Sequence, residues 1–264
     1  MSLQRTTSIV LPAPADNTAI PSPKLVFKIQ PQKGEFPGGL FSTGSIRFNL
    51  NNSNMVNMAT EAFEKFSSFK ENASALNKYL LALSITSKFE GGFDAVNSYD
   101  VAGISVGFIQ FARPEGGVGK LLSLIGRPDL ADKIKKMFGT TDPHSSSSAL
   151  QARNDRNLLS EIIAVAAAPD GIKAQFAMAI NQNVGNQFYF DKAFKRFNEL
   201  NLNDPLCAAM LFDAAVNMGA GRVNDFKAPI AGQSDGDWMA ASVSLFRRPE
   251  RKVGWTKIIK DNFA

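Results

Sequence analysis

The chain is short of the residues that carry most nucleophilic and metal chemistry. Its 264 residues include one cysteine and one histidine. With Cys207 alone, no internal disulfide can form. Cys207 lies in the apolar run Leu206-Cys207-Ala208-Ala209-Met210 and reads as a small core residue rather than a nucleophile. A Cys–His or Ser–His–Asp machine would have to use His144, which sits in the loop-like Asp142-Pro143-His144-Ser145. A zinc site is starved of ligands for the same reason, so no metal and no organic cofactor is expected. No stretch approaches the ~20 apolar residues that span a bilayer, and no membrane span is expected. The first eight residues lack the charged segment followed by an apolar run of a secretory signal. The expectation is synthesis in the cytoplasm, with any target outside it reached by lysis, by a virion or by a secretion system.

Apolar content is ample: Phe alone occurs 21 times, enough for one sizeable core. The net charge of +5 suits a polyanionic partner. Nucleic acid is not expected, because aromatic stacking residues are not interleaved with the basic tail Arg247-Arg248-Pro249-Glu250-Arg251-Lys252. That tail reads as a solvated face. Gly116-Gly117-Val118-Gly119-Lys120 lacks the spacing and the terminal Ser/Thr of a phosphate loop.

Two regions differ in composition. Residues 1–55 carry Pro12, Pro14, Pro21, Pro23, Pro31 and Pro37, which excludes long helices. Alternation predicts strands over 24–29 and 45–50, giving an extended N-terminal arm or a hairpin. Residues 56–264 read as one mainly α domain. Helices are predicted over 59–69, from Ser74 to Glu90, over 128–138, 150–168 and 172–184, and from Asp191 to 200. Asp204 as cap, Pro205 at the first helical position and Gly219 as stop predict another. Asp237 opens a last segment. The glycine-rich stretch from 91 to 117 predicts a small β or loop element.

Breaking a glycosidic bond needs a carboxylic acid shielded enough to hold a proton near neutrality. Glu90 fits. Tyr79, Leu83, Thr86 and Glu90 share one helical face, and Gly91-Gly92 ends the helix and leaves room for a sugar. The partial negative charge of a helix C-terminus also favours the neutral acid. Asp213 is helical and reads first as a buried structural carboxylate. Arg222 follows a helix end, where it can meet the last carbonyls or a peptide carboxylate.

The segment Ser87-Lys88-Phe89-Glu90-Gly91-Gly92, followed by Gly107-Phe108-Ile109-Gln110, resembles the lysozyme-like superfamily. Goose-type lysozymes and soluble lytic transglycosylases carry a helix-terminal Glu-Ser and then Gly-Leu-Met-Gln, at the separation kept by Glu90 and Gln110. Gly91 replaces the usual Ser. Ala215-Val216-Asn217-Met218-Gly219-Ala220-Gly221-Arg222-Val223 is similar to the transglycosylase pattern Ala-Tyr-Asn-Ala-Gly-x-Gly-x-Val. Val216 replaces the Tyr of the transglycosylase site, which argues for hydrolysis. Together these blocks cover roughly residues 80 to 225.

The resemblance implies a lysozyme-like helical domain with a small β element beside a cleft. It also implies a muramidase-type hydrolase acting on peptidoglycan glycan strands, with Glu90 as general acid. Asp100 is the first candidate for the second carboxylate and Asp94 the reserve. Gln110 and Asn217 would shape the sugar cleft, and Tyr99, Ser105 and Asp94 would bind sugar. Bacterial chitosanases share the superfamily. They resemble this chain in Ile85-Thr86-Ser87-Lys88-Phe89-Glu90, Ser105-Val106-Gly107-Phe108-Ile109, Phe188-Tyr189-Phe190-Asp191 and Phe212-Asp213-Ala214-Ala215. A non-catalytic glycan-binding module is a third reading. Delivery implies a phage lysin, a virion-associated enzyme or a toxin, and a toxin would come with a cognate immunity protein.

Overall fold

A computed structural model describes residues 26–28, 40–42, 46–98, 103–138, 155–181, 184 and 189–263. The described chain is mainly α, with five short antiparallel strands. The helices are α1 Ser53–Phe66, α2 Ala73–Phe89, α3 Val118–Leu124, α4 Pro128–Phe138, α5 Arg156–Ala167, α6 Pro169–Ile180, α7 Tyr189–Glu199, α8 Pro205–Met218, α9 Asp235–Ser242 and α10 Pro249–Phe263. The strands are β1 Val26–Lys28, β2 Leu40–Ser42, β3 Val96–Asn97, β4 Ser105–Val106 and β5 Phe111–Ala112, ordered β1-β2-β3-β4-β5 in one sheet. No single described helix is long and apolar enough to cross a membrane.

Local chemistry sets the helix ends. Asn72 caps α2, its side chain accepting from Ala75 N at 3.0 Å, so the helix starts ahead of the predicted Ser74 cap. Asp204 caps α8 by accepting from Leu206 N at 2.8 Å, and Gly219 ends it at φ +101°, a conformation that favours glycine. α5 stops at Ala167, before Pro169, as the sequence suggests, but Pro169 does more than end it. It opens α6 at the first helical position, where its missing N–H leaves nothing unpaired. Asp191 lies within α7 and does not cap it. Its carboxylate takes Ser67 Oγ and Ser68 N, both at 2.9 Å, tying α7 to the α1–α2 turn.

Part of the N-terminal region belongs to the sheet that follows Glu90. Strand β2 pairs with β3 in the register Leu40↔Asn97 and Phe41↔Val96. Of the strand predicted over 45–50, the described residues 46–50 form none and hydrogen-bond to the main body instead. Ile46 O accepts from Phe93 N at 2.7 Å, and Phe48 O accepts from Ser87 Oγ at 3.4 Å.

The core is one apolar cluster centred on α2 and α8, which pack against each other. Asp204, opening α8, lies within electrostatic reach of Lys78, early in α2. Asp213, late in α8, meets the end of α2 through a shared arginine. The two helices therefore run in the same sense, and their ends open on one place. Beside them, Phe93, Phe108 and Phe176 pack ring on ring at 4.7–6.0 Å and seat the small sheet on α6.

Candidate functional site

The site grows from the end of α2. Helical periodicity puts Glu90 on the buried face, and its N–H still donates to Thr86 O at 3.0 Å. The side chain keeps 12% exposure and is ion-paired with Arg251. Arg251 is itself buried and holds a second carboxylate, its Nη1 lying 2.6 Å from Asp213 Oδ1. Trp255, one turn along α10, donates from Nε1 to Asp213 Oδ2 at 2.8 Å. The Arg251 guanidinium also lies over the Phe89 ring, 4.5 Å from its centroid. Gly254 makes that approach possible, since a Cβ there would collide with the ring. Three helices thus converge: α2 brings Glu90, α8 brings Asp213, and α10 brings the arginine between them.

Asp213 is fully buried, and that burial pushes its carboxyl up to about 7. Arg251 and the Trp255 hydrogen bond pull the other way, while the Glu90 charge adds to the rise. This has a consequence for stability. An unfolded aspartate ionises near 3.8, whereas the folded one holds its proton to about 7. Between those values the folded state binds the extra proton. The contribution is complete below about pH 4 and is lost as pH rises through 7. Urea midpoints measured from pH 4 to 8 should therefore fall in the wild type, and this part of the fall should vanish in Asp213→Asn.

Gln110 comes to the same place from the sheet. It sits in the turn between β4 and β5 at φ +53°, unusual for a residue with a side chain. Its amide is fixed twice: Nε2 donates to Gly107 O at 2.9 Å, and Oε1 accepts from Ser105 Oγ at 2.8 Å. A Cβ on Gly91 would lie 3.9 Å from Gln110 Nε2 and 3.3 Å from Ala95 Cβ. The amide contact is an ordinary one, and a serine at 91 would be crowded by Ala95.

The other sequence candidates fall in different places. Asp94 is fully buried and accepts from Ile46 N at 3.0 Å, so it pins the 46–48 segment and does not face a cleft. Ser105 is also fully buried and orients Gln110, with no surface to offer a sugar. Asn217 lies one turn beyond Asp213, and its Oδ1 is buried with no hydrogen-bond partner. Tyr99, Asp100 and His144 lie outside the described residues. Arg222 pairs with Asp225 at 2.8 Å. Cys207 is a core thiol, pushed up by burial and then by the charges of Asp235 and Asp204. Among the described residues no three His, Cys, Asp or Glu side chains cluster as a metal site.

Sequence reasoning missed four contributors. The sequence places Arg251 in a basic tail that reads as a solvated face. Its neighbours Arg247, Arg248 and Lys252 are exposed, but Arg251 is buried. The signal was its spacing, since Arg251, Trp255, Ile259 and Phe263 repeat every fourth residue on the buried face of α10. Trp255 is the second. Tyr189 is the third: burial raises its hydroxyl pKa and the Glu90 charge raises it further, which places this ring within electrostatic reach of the acid. Gln175 is the fourth, a polar residue inside an apolar helix.

No family model, curated protein or solved structure matches the chain.

Proposed function

We propose that the chain is a lysozyme-like glycoside hydrolase that cleaves β-1,4 linkages of peptidoglycan, with Glu90 as general acid. The observation that carries this reading is the Glu90–Arg251–Asp213 cluster. Asp213 has no exposure, whereas Glu90 keeps 12%. Glu90 is therefore the carboxyl of the pair that a leaving glycosidic oxygen can reach, which makes it the proposed general acid. Gln110, fixed beside Gly91, supplies an amide next to the acid at the separation that the superfamily resemblance leads one to expect.

Asp100 is the proposed second carboxylate, activating water on the opposite sugar face. Inversion by such a pair needs the carboxyls about 6.5–9.5 Å apart, and retention about 5–5.5 Å. Val216 in place of the transglycosylase tyrosine favours a hydrolysed product over an anhydro sugar.

One observation favours a second reading, a chitosanase. Phe212-Asp213-Ala214-Ala215 is one of the chitosanase-like blocks, and its Asp213 joins Glu90 through Arg251. Reducing-end release from purified peptidoglycan and from chitosan separates the two. We expect release from peptidoglycan, in keeping with the net charge of +5 against an anionic polymer. Release from chitosan alone would establish the second reading. Binding to either polymer without turnover would mean a non-catalytic module.

A further inference from the structure

We infer that Gln175 is a positioning residue whose single amide holds the sugar-cleft sheet in register with the helices that carry Glu90, Asp213 and Arg251. The inference rests on the glycosidase reading above. Gln175 lies on α6 and is fully buried. Its Oε1 accepts from Phe108 N at 3.1 Å. Its Nε2 donates to Phe93 O and to Ala166 O, both at 3.0 Å. Both amide hydrogens and the carbonyl are thus used. The partners are separated from Gln175 by 67, 82 and 9 residues in sequence.

The choice of partners is what matters. Phe93 is three residues beyond the acid, in the loop that Glu90 opens. Phe108 is two residues before Gln110, in the turn that presents the amide. Ala166 belongs to the end of α5, on the helical side. One side chain therefore joins the loop after the acid, the turn bearing Gln110 and the helical body. Gly107 serves the same contact: its φ of +87° favours glycine, and a Cβ there would collide with Gln175 Oε1. The stack of Phe93 and Phe108 on Phe176, the next residue, adds apolar contact but no directional constraint. The hydrogen bonds of Gln175 supply the direction.

The chemistry specifies an amide. A carboxylate has no hydrogen to give the two carbonyl oxygens and would face both as an acceptor. A methionine has the length but leaves one N–H and two C=O groups without this partner. In either variant the sheet slides on its aromatic seat, and Gln110 leaves its place beside Gly91. A displacement near 1 Å at a reacting centre lowers turnover by about 100-fold.

The experiment compares wild type, Gln175→Met and Gln175→Glu on peptidoglycan, with hydrogen exchange followed at the Phe108 amide. Each active fraction is normalised to folded protein, and the pH dependence of stability from Asp213 serves as the readout for an intact helical cluster. We expect Gln175→Met to keep that dependence, to exchange faster at Phe108, and to lose about 100-fold in kcat with a smaller change in KM. Gln175→Glu should lie closer to wild type at acid pH, where its neutral carboxyl can donate to one carbonyl, and diverge as it ionises. Full kcat in folded Gln175→Met, together with fast exchange at Phe108, would overturn the inference and leave the functional reading standing. Should Gln175→Met fail to fold, a Gln175→Glu to wild-type kcat ratio independent of pH would overturn it instead. A wild type with no turnover on either polymer would end both.

Discussion

Replacing Arg251 by Met should destabilise the protein by about 3–5 kcal/mol, the range for removing one partner from a buried ion pair. The loss comes from what stays behind. Asp213 has no exposure and would keep only the Trp255 N–H as a partner among those that hold it now. It can respond by holding its proton to higher pH, because the arginine is one of the two groups that pull its pKa down. The destabilisation should therefore be smallest in acid and grow toward alkaline pH. Methionine retains most of the arginine stem, so the loss comprises the two ion pairs and the guanidinium contact with Phe89. Converting Asp213 to Leu in the same protein removes the stranded carboxyl and should return part of the stability. Urea titrations of the two single variants and the double variant at pH 5 and pH 8 give the cycle. Little loss at either pH would show that Arg251 serves only as a packing residue.

Glu90→Gln should have the opposite profile, with stability nearly kept and turnover nearly gone. A glutamine carbonyl can still accept from Arg251, so the guanidinium remains partnered and α10 stays in place. The amide cannot deliver a proton to a leaving oxygen. Removing a general acid lowers rates by about 10²–10⁴-fold, and a loss in that range at unchanged KM would mark an interaction used in the transition state alone. The contrast between the two variants separates the halves of the cluster: Arg251 and Asp213 hold the site together, and Glu90 acts.

The helical framework was legible where its signals are local. The cap, proline and glycine around α8 lie within or just beyond the helix they define, so Pro205–Met218 was readable from the sequence, as was Pro128–Phe138. The alternation over 45–50 misled because it is not answered by a neighbouring strand. Ile46 and Phe48 bond to the loop after Glu90 and to α2, and nothing in a six-residue pattern reports that. Asp191 carries the same lesson. It has the composition of a cap, but Ser67, 124 residues away, takes its carboxylate.

Within the candidate site, the helix-terminal position of Glu90 was readable from a local signal, the glycines that stop α2, whereas Gln110 was singled out by the superfamily resemblance alone. Arg251 was not readable, because its meaning lies in partners 161 and 38 residues distant. A basic run reads as solvated until the fold turns one member of it inward. Asp213 was read as a buried structural carboxylate, which its burial matches, yet its link to Glu90 depends wholly on that arginine. Gln175 has the same character, an amide whose three partners meet only in the folded chain.

The central claim is that Glu90 donates the proton that breaks a peptidoglycan glycan strand. Mass spectrometry of the soluble products from purified peptidoglycan, wild type against Glu90→Gln, tests it most directly. The account predicts reducing muropeptides from the wild type and at least about 100-fold fewer from the variant at equal folded concentration. The same muropeptides released at an undiminished rate by Glu90→Gln would contradict it.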